Sequence, residues 1–123
     1  MHEFSICSEL VNVVLEEVEK RDAQKKEVIR VFVRVGALRR IVPEYFREAY
    51  KVICKGTPAE GSEMVIEVAP PSALCGDCGW EGEISADDFA CRRCGSYNVR
   101  VEGGKDISLE RIQLSEVIDE DRD

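Results

Sequence analysis

The sequence contains little of what catalytic sites, membrane spans and secretory signals require. Only one of its 123 residues, His2, is a histidine, and no apolar run approaches the roughly 20 residues that cross a bilayer. The N-terminus lacks the basic start, apolar core and small-residue cleavage site of a signal peptide, and there is no Gly-Lys phosphate-binding loop. We therefore expect a protein that is not an enzyme, has no membrane partner and has no histidine-dependent nucleophilic triad.

Basic residues are also in short supply. Lys and Arg number 17 against 25 Asp and Glu, which gives a formal net charge of −8. Proteins that bind nucleic acid need a basic stripe to contact phosphates. The one locally basic pair in the C-terminal third, Arg92-Arg93, lies in a segment that is acidic overall. The composition therefore predicts that nucleic acid is not a partner.

Cysteine is the residue that the chain supplies in an informative pattern. Four of the six cysteines form two Cys-x-x-Cys pairs, Cys75 with Cys78 and Cys91 with Cys94, which are separated by twelve residues. Each pair can wrap a tight turn that aims two sulfurs at one point, and two turns complete a tetrahedron with metal–sulfur distances of about 2.3 Å. A glycine follows each pair, where such turns favour a positive φ. The pattern predicts a four-cysteine metal site.

This site is expected to be structural, because four protein ligands leave no position for water or substrate. Zinc is the first choice, but iron in a rubredoxin-like electron carrier fits the same thiolates, and the sequence does not separate the two metals. Two disulfides or a redox dithiol are the weaker alternative, since neither pair opens a helix after a buried strand. Thiols at zinc spacing without an export signal favour a reducing cytoplasm.

Residue periodicity predicts two helices and three strands. Helical spacing of apolar residues indicates a helix over residues 4–21 and a second, thirteen-residue helix that opens at Pro43. The expected core-facing residues are Ile6, Leu10, Val13, Val14 and Val18 in the first helix and Phe46, Ala49, Tyr50 and Ile53 in the second. Alternating or β-branched stretches predict strands at 28–35, 64–68 and 107–114. The strand–helix–strand order favours a parallel pair joined by a right-handed crossover.

The predicted fold class is α+β, with a small three-stranded mixed sheet, two helices and an inserted zinc-ribbon-like four-cysteine module. Pro70-Pro71 and Gly103-Gly104 flank the insert, and the composition becomes glycine-rich between them. The expected divisions are a discontinuous α/β domain at 1–70 and 105–118, a zinc-binding module at 71–104, and an acidic tail at 119–123.

The N-terminus offers a second candidate metal site. The amine of Met1, the amide and imidazole nitrogens of His2, and the amide nitrogen of Glu3 can supply a square-planar nitrogen field, which Ni(II) and Cu(II) prefer and Zn(II) does not. A histidine at this position is more often an exposed residue of a frayed terminus, so the residues alone leave both interpretations open. Cys7 and Cys54 are expected to be small buried hydrophobes, with Cys7 a weaker candidate for a soft ligand.

Three motifs together resemble one known family. They are Met1-His2-Glu3, the stretch from Val35-Gly36-Ala37-Leu38 to Val42-Pro43-Glu44, and Cys75-x2-Cys78-x12-Cys91-x2-Cys94 followed by Gly95-Ser96. In order and spacing they look like the HypA/HybF family of nickel metallochaperones, and the resemblance covers the chain to about Val117. No single motif is specific, but their combination is.

The resemblance implies a cytoplasmic accessory protein that helps to insert nickel into [NiFe]-hydrogenase and, in some organisms, urease. It implies Ni(II) as transported cargo at Met1, His2 and Glu3, and structural Zn(II) at Cys75, Cys78, Cys91 and Cys94. The implied partners are a maturation GTPase of the nickel pathway and the hydrogenase large subunit. The alternative that we retain is a zinc-stabilised protein-interaction adaptor that delivers no metal.

Overall fold

The computed structural model describes residues 2–20 and 27–115. Met1 and the expected acidic tail therefore lie outside the described residues. The elements in chain order are α1 His2–Lys20, β1 Val28–Gly36, a 3₁₀ turn Ala37–Arg39, α2 Pro43–Ile53, β2 Glu63–Ala69, β3 Ser72–Cys75, β4 Glu81–Glu83, β5 Val99–Glu102 and β6 Ile107–Leu114. The α+β class is confirmed. Among the described residues, none of the helices is long and apolar enough to cross a membrane.

Helix α1 begins two residues before its expected start, and it buries Leu10, Val14 and Val18 as expected, whereas Ile6 is half-buried. The buried residues are Cys7, Leu10, Val11, Val14 and Val18. The assignment of Val13 to the core was wrong, since its side chain is 43% exposed. The four positions from Cys7 through Val11 and Val14 to Val18 are separated by four, three and four residues. They therefore lie on one face of the helix, which packs against the core.

Helix α2 has the stripe that the sequence predicts. Proline at its first position fixes a helical φ without the loss of a hydrogen bond, because that N–H has no helical partner. Phe46, Ala49 and Tyr50 are buried, and Ile53 is half-buried at the last position. The helix ends two residues before the expected end, and Gly56 follows with φ +78°. Burial of Phe46 and of Tyr50 contributes about 1.5–3 kcal/mol each before entropy is counted.

The first sheet has the strand order β2-β1-β6. Arg30 donates to the carboxylate of Glu63 (2.9 Å), and four residues further along both strands Arg34 donates to Glu67 (3.3 Å). Because the offset between partners stays constant, β1 and β2 run parallel, as the strand–helix–strand order predicts.

Strands β1 and β6 run antiparallel. The N–H of Gly36 donates to the carbonyl of Asp106 (2.7 Å), whereas at the other end the N–H of Ser115 donates to the carbonyl of Glu27 (2.8 Å). One parallel and one antiparallel neighbour make the sheet mixed, which confirms the expected architecture. Strand β6 also keeps the limits that its alternating pattern predicts.

A second sheet has the order β4-β3-β5 and was not predicted from the sequence. Both of its pairings are antiparallel, with Ala73 opposite Gly82 on one side and Val101 on the other. Its strands have three or four residues, too few for a period of two to stand out.

The described residues separate into two compact units. The first comprises residues 2–20, 27–33, 41–66 and 109–115, and the second comprises residues 34–40 and 67–108. The second unit includes the turn after β1 because Arg40 donates to the Asp87 carboxylate (3.0 Å) and to the Ala86 carbonyl (2.7 Å). The division at residues 70/71 and 104/105 stays a prediction.

Candidate metal centre

Each Cys-x-x-Cys pair in the second unit forms a tight turn. The N–H of Gly79 donates to the carbonyl of Cys75 (3.1 Å), and the N–H of Gly95 donates to the carbonyl of Cys91 (2.9 Å). Both glycines have a positive φ, +81° and +80°, which side-chain-bearing residues rarely adopt. The chain therefore reverses directly after each pair, as the two glycines in the sequence indicate.

Backbone donors point at the first sulfur of each turn. The N–H groups of Asp77 and Cys78 each lie 3.4 Å from Cys75 Sγ. In the second turn, the N–H groups of Arg93 and Cys94 lie 3.3 Å from Cys91 Sγ. Such donors stabilise a thiolate more than a thiol, so both turns favour the form of cysteine that binds metal.

The two turns bring all four cysteine sulfurs together. The Sγ atoms of Cys75, Cys78, Cys91 and Cys94 lie within 4.8 Å of one another. Cys75 Sγ is 3.7 Å from Cys94 Sγ, and Cys78 Sγ is 3.6 Å from Cys91 Sγ. A regular tetrahedron with metal–sulfur bonds of about 2.3 Å has sulfur–sulfur edges of about 3.8 Å. The donor set thus fits one tetrahedral ion, and all four cysteines are free of disulfides.

The pKa values of two thiols in the cluster are shifted in opposite directions. Desolvation acts to raise the pKa of the Cys91 thiol, but the N–H groups of Cys94 and Arg93 outweigh it and bring that pKa to about 6. The N–H of Ser96 acts to lower the pKa of Cys94, yet desolvation and the neighbouring thiols raise it to about 12. A cation among the four sulfurs would favour their thiolate forms, because an opposite charge lowers the pKa of a thiol.

Two features of this centre were missed from the sequence. The second sheet places the first turn, because β3 ends at Cys75, where the N–H donates to the Trp80 carbonyl (2.8 Å). The side chains of Ser96 and Asn98 also donate to Asp77 across the two turns (2.5 and 3.0 Å). Short polar residues within and after the cysteine pairs were the available signal.

The predicted N-terminal site is described only in part. Helix α1 begins at His2, so the amides of His2 and Glu3 lie in its first turn, where N–H groups have no helical carbonyl partner. Glu3 is half-buried and lines a groove of about 370 Å³ in the first unit. Met1 lies outside the described residues, so the assignment of Met1, His2 and Glu3 to nickel stays a prediction.

Cys7 and Cys54 are both buried, as expected of small hydrophobes. The Cys7 thiol points toward the Phe46 carbonyl, with 3.8 Å between sulfur and oxygen. Burial, followed by the proximity of Cys54, raises the pKa of the Cys7 thiol to about 12. A protonated, buried thiol is a poor ligand, so nothing in this arrangement favours Cys7 as a soft ligand.

Comparison with known proteins gives one consistent result. Residues 1–114 match the family described as "Hydrogenase/urease nickel incorporation, metallochaperone, hypA". The hydrogenase maturation factor HypA of Nitrosospira multiformis is 36% identical over 114 residues, which cover 93% of this chain and 97% of that protein. The hydrogenase maturation factor HybF of Escherichia coli K12 is 31% identical over 114 residues, covering 93% and 99%.

Solved structures show the same fold. The solution structure of the Ni metallochaperone HypA from Helicobacter pylori superposes with a TM-score of 0.63 at 24% identity, covering 93% of this chain and 97% of that one. A second solution structure of a HypA protein gives a TM-score of 0.57 at 22% identity, with coverage of 94% and 97%.

Proposed function

The chain belongs to the HypA family of nickel metallochaperones for hydrogenase maturation, a non-catalytic family, and we propose that it binds Ni(II) at its own N-terminus. From there it would help to deliver the ion to [NiFe]-hydrogenase, with urease as a second possible client. The observation that carries this proposal is the family match, which begins at residue 1 and runs to residue 114.

The proposed nickel ligands are nitrogen atoms. Met1 supplies its amine, His2 its amide and imidazole nitrogens, and Glu3 its amide nitrogen. The start of α1 at His2 supports this set, since amides in the first turn compete with no helical carbonyl. The positive end of the helix dipole also favours a deprotonated amide. A square-planar nitrogen field selects nickel or copper over zinc by geometry.

The second proposed ion is zinc, held by Cys75, Cys78, Cys91 and Cys94. The sulfur–sulfur separations of 3.6 and 3.7 Å support a tetrahedral ion with no open position. Zinc would supply about 10–16 kcal/mol of folding free energy to the second unit. Iron fits the same geometry, and elemental analysis with the colour of the purified protein separates the two metals.

The proposed partners follow from the family. They are a maturation GTPase of the nickel pathway and the hydrogenase large subunit, and the proposed location is the cytoplasm, where thiols stay reduced. The net charge of −8 supports the exclusion of nucleic acid. The sequence has no Gly-Lys phosphate-binding loop, which is consistent with a GTPase partner that supplies the nucleotide-driven step.

The test of nickel binding is calorimetry on untagged, zinc-loaded protein. Wild-type chain should bind one Ni(II), and His2→Ala should lose this binding while zinc content and helical signal stay unchanged. Glu3→Gln is the matched control, because it alters the adjacent side chain but keeps the amide nitrogen that acts as the ligand.

Equal nickel affinity in wild-type and His2→Ala protein would contradict the proposal. That result would favour the alternative, a zinc-stabilised adaptor, and the next experiment would be capture of its protein partner.

A further inference from the structure

Three residues, Ser96–Asn98, connect the two cysteine turns and are here called the strap. We propose that Asp77 is a positioning residue that, through the strap, holds both turns in the metal-binding arrangement and thereby slows loss of the metal. The inference rests on the proposed zinc occupancy of the four cysteines. It concerns Asp77, which offers no ligand to the metal itself.

The carboxylate of Asp77 receives two hydrogen bonds from the strap. Ser96 Oγ donates to Asp77 Oδ2 (2.5 Å), and Asn98 Nδ2 donates to Asp77 Oδ1 (3.0 Å). The N–H of Asn98 in turn donates to Ser96 Oγ (2.9 Å), which fixes the orientation of the serine. Hydrogen bonds to an ionised acceptor are roughly twice as strong as neutral ones, so this contact is suited to hold two turns together.

The backbone of the strap is bonded to both turns. On one side the N–H of Gly76 donates to the carbonyl of Asn98 (2.8 Å), and on the other the N–H of Cys91 donates to the carbonyl of Ser96 (2.8 Å). The strap approaches the backbone of Gly76 so closely that a Cβ at this position would lie 2.9 Å from Asn98 Nδ2. The strap therefore sets the spacing between the two cysteine pairs.

Asp77 also contributes directly to the thiolate environment. Its own N–H is one of the two that point at Cys75 Sγ (3.4 Å), so a fixed side chain also fixes a backbone donor. Arg93 occupies the equivalent position in the second turn, and its N–H points at Cys91 Sγ (3.3 Å). Within the described part of the chain the Arg93 side chain makes no hydrogen bond, which makes it a matched control.

Loss of the Asp77 carboxylate should speed the release of the metal, although the same four cysteines still bind it. Groups that orient metal ligands typically account for 10–100-fold in metal affinity. Asp77→Ala should therefore release zinc at least about tenfold faster than wild type. Ser96→Ala removes one of the two bonds and should have a smaller effect. The double variant should be no worse than Asp77→Ala, because both changes remove the same contact.

The experiment measures transfer of zinc from the full-length chain to a chromogenic chelator in excess. Arg93→Ala controls for the position in the turn, and Glu81→Gln controls for the loss of one negative charge near the cluster. Cobalt-substituted Asp77→Ala should keep the absorption bands of a tetrahedral tetrathiolate, which would show that the ligands are unchanged.

Release rates of Asp77→Ala that equal those of Arg93→Ala or of Glu81→Gln would overturn the inference. If Asp77→Ala does not fold with zinc, the release rate of Ser96→Ala tests the inference in its place. A wild-type release rate in Ser96→Ala would then overturn the inference. A wild-type chain that takes up no zinc would instead refute the zinc proposal, and this inference with it.

Discussion

Substitution of Phe46 by alanine should destabilise the first unit and leave the second unaffected. Phe46 lies on α2 and is fully buried (0% exposed), in the unit that contains both helices. Removal of a buried phenylalanine side chain costs about 3–5 kcal/mol, as lost transfer free energy plus the cavity left behind. Tyr45→Ala is the control, because the neighbouring Tyr45 is 65% exposed and its truncation should cost about 0.5 kcal/mol or less.

The chain provides a separate probe for each unit. Helical circular dichroism reports the first unit, which contains α1 and α2, and fluorescence of Trp80, the single tryptophan, reports the second. In guanidinium titrations of zinc-loaded Phe46→Ala, the helical transition should move to lower denaturant by an amount that matches the 3–5 kcal/mol loss. The Trp80 transition and the zinc content should stay at wild-type values.

The reasoning would be refuted if the helical and the Trp80 transitions coincide in wild type and in Phe46→Ala and both move to lower denaturant in the variant. Such a result would show that the two units unfold as one cooperative body. Separate transitions would support the division into an α/β domain and a zinc module.

Two further predictions concern protonation and zinc. Burial raises the pKa of the Cys7 thiol from its ordinary 9.0 to about 12, so the unfolded chain ionises first as pH rises. The contribution of this group to stability should be constant below pH 9 and should fall between about pH 9 and 12, by up to about 1.4 kcal/mol per pH unit. Cys7→Ala should remove this part of the slope in denaturant titrations, and an unchanged slope would contradict the assignment. Removal of zinc by a strong chelator should abolish the Trp80 unfolding transition but keep the helical one. A Trp80 transition that persists without metal would show that the second unit folds unaided.

The parts of the fold that are long and periodic were predictable from the sequence. The stripe of α2 and the limits of β6 follow from eight or more residues with one period. The stripe of α1 was misassigned at Val13, because valines at adjacent positions leave two faces almost equally apolar and packing decides between them. The second sheet escaped prediction because strands such as Glu81–Glu83 carry no hydrophobic signal of their own.

One part of the candidate site could also be predicted from the sequence, and another part could not. The spacing of Cys75, Cys78, Cys91 and Cys94 was sufficient to predict that they meet, since two tight turns are a local property of the chain. The bonds of Asp77 to the strap could not be anticipated, because short polar side chains find many alternative partners and tertiary structure selects among them.

The most direct test of the central claim compares the native N-terminus with one whose amine is acetylated. Untagged, zinc-loaded protein is titrated with Ni(II) while the visible d–d absorption and the bound nickel are followed. We predict one nickel per chain with a square-planar band for the native chain, and loss of both in the acetylated chain, because acetylation removes the amine ligand of Met1 and leaves every side chain unchanged. Equal binding and an unchanged spectrum in the acetylated chain would contradict nickel capture by the N-terminus.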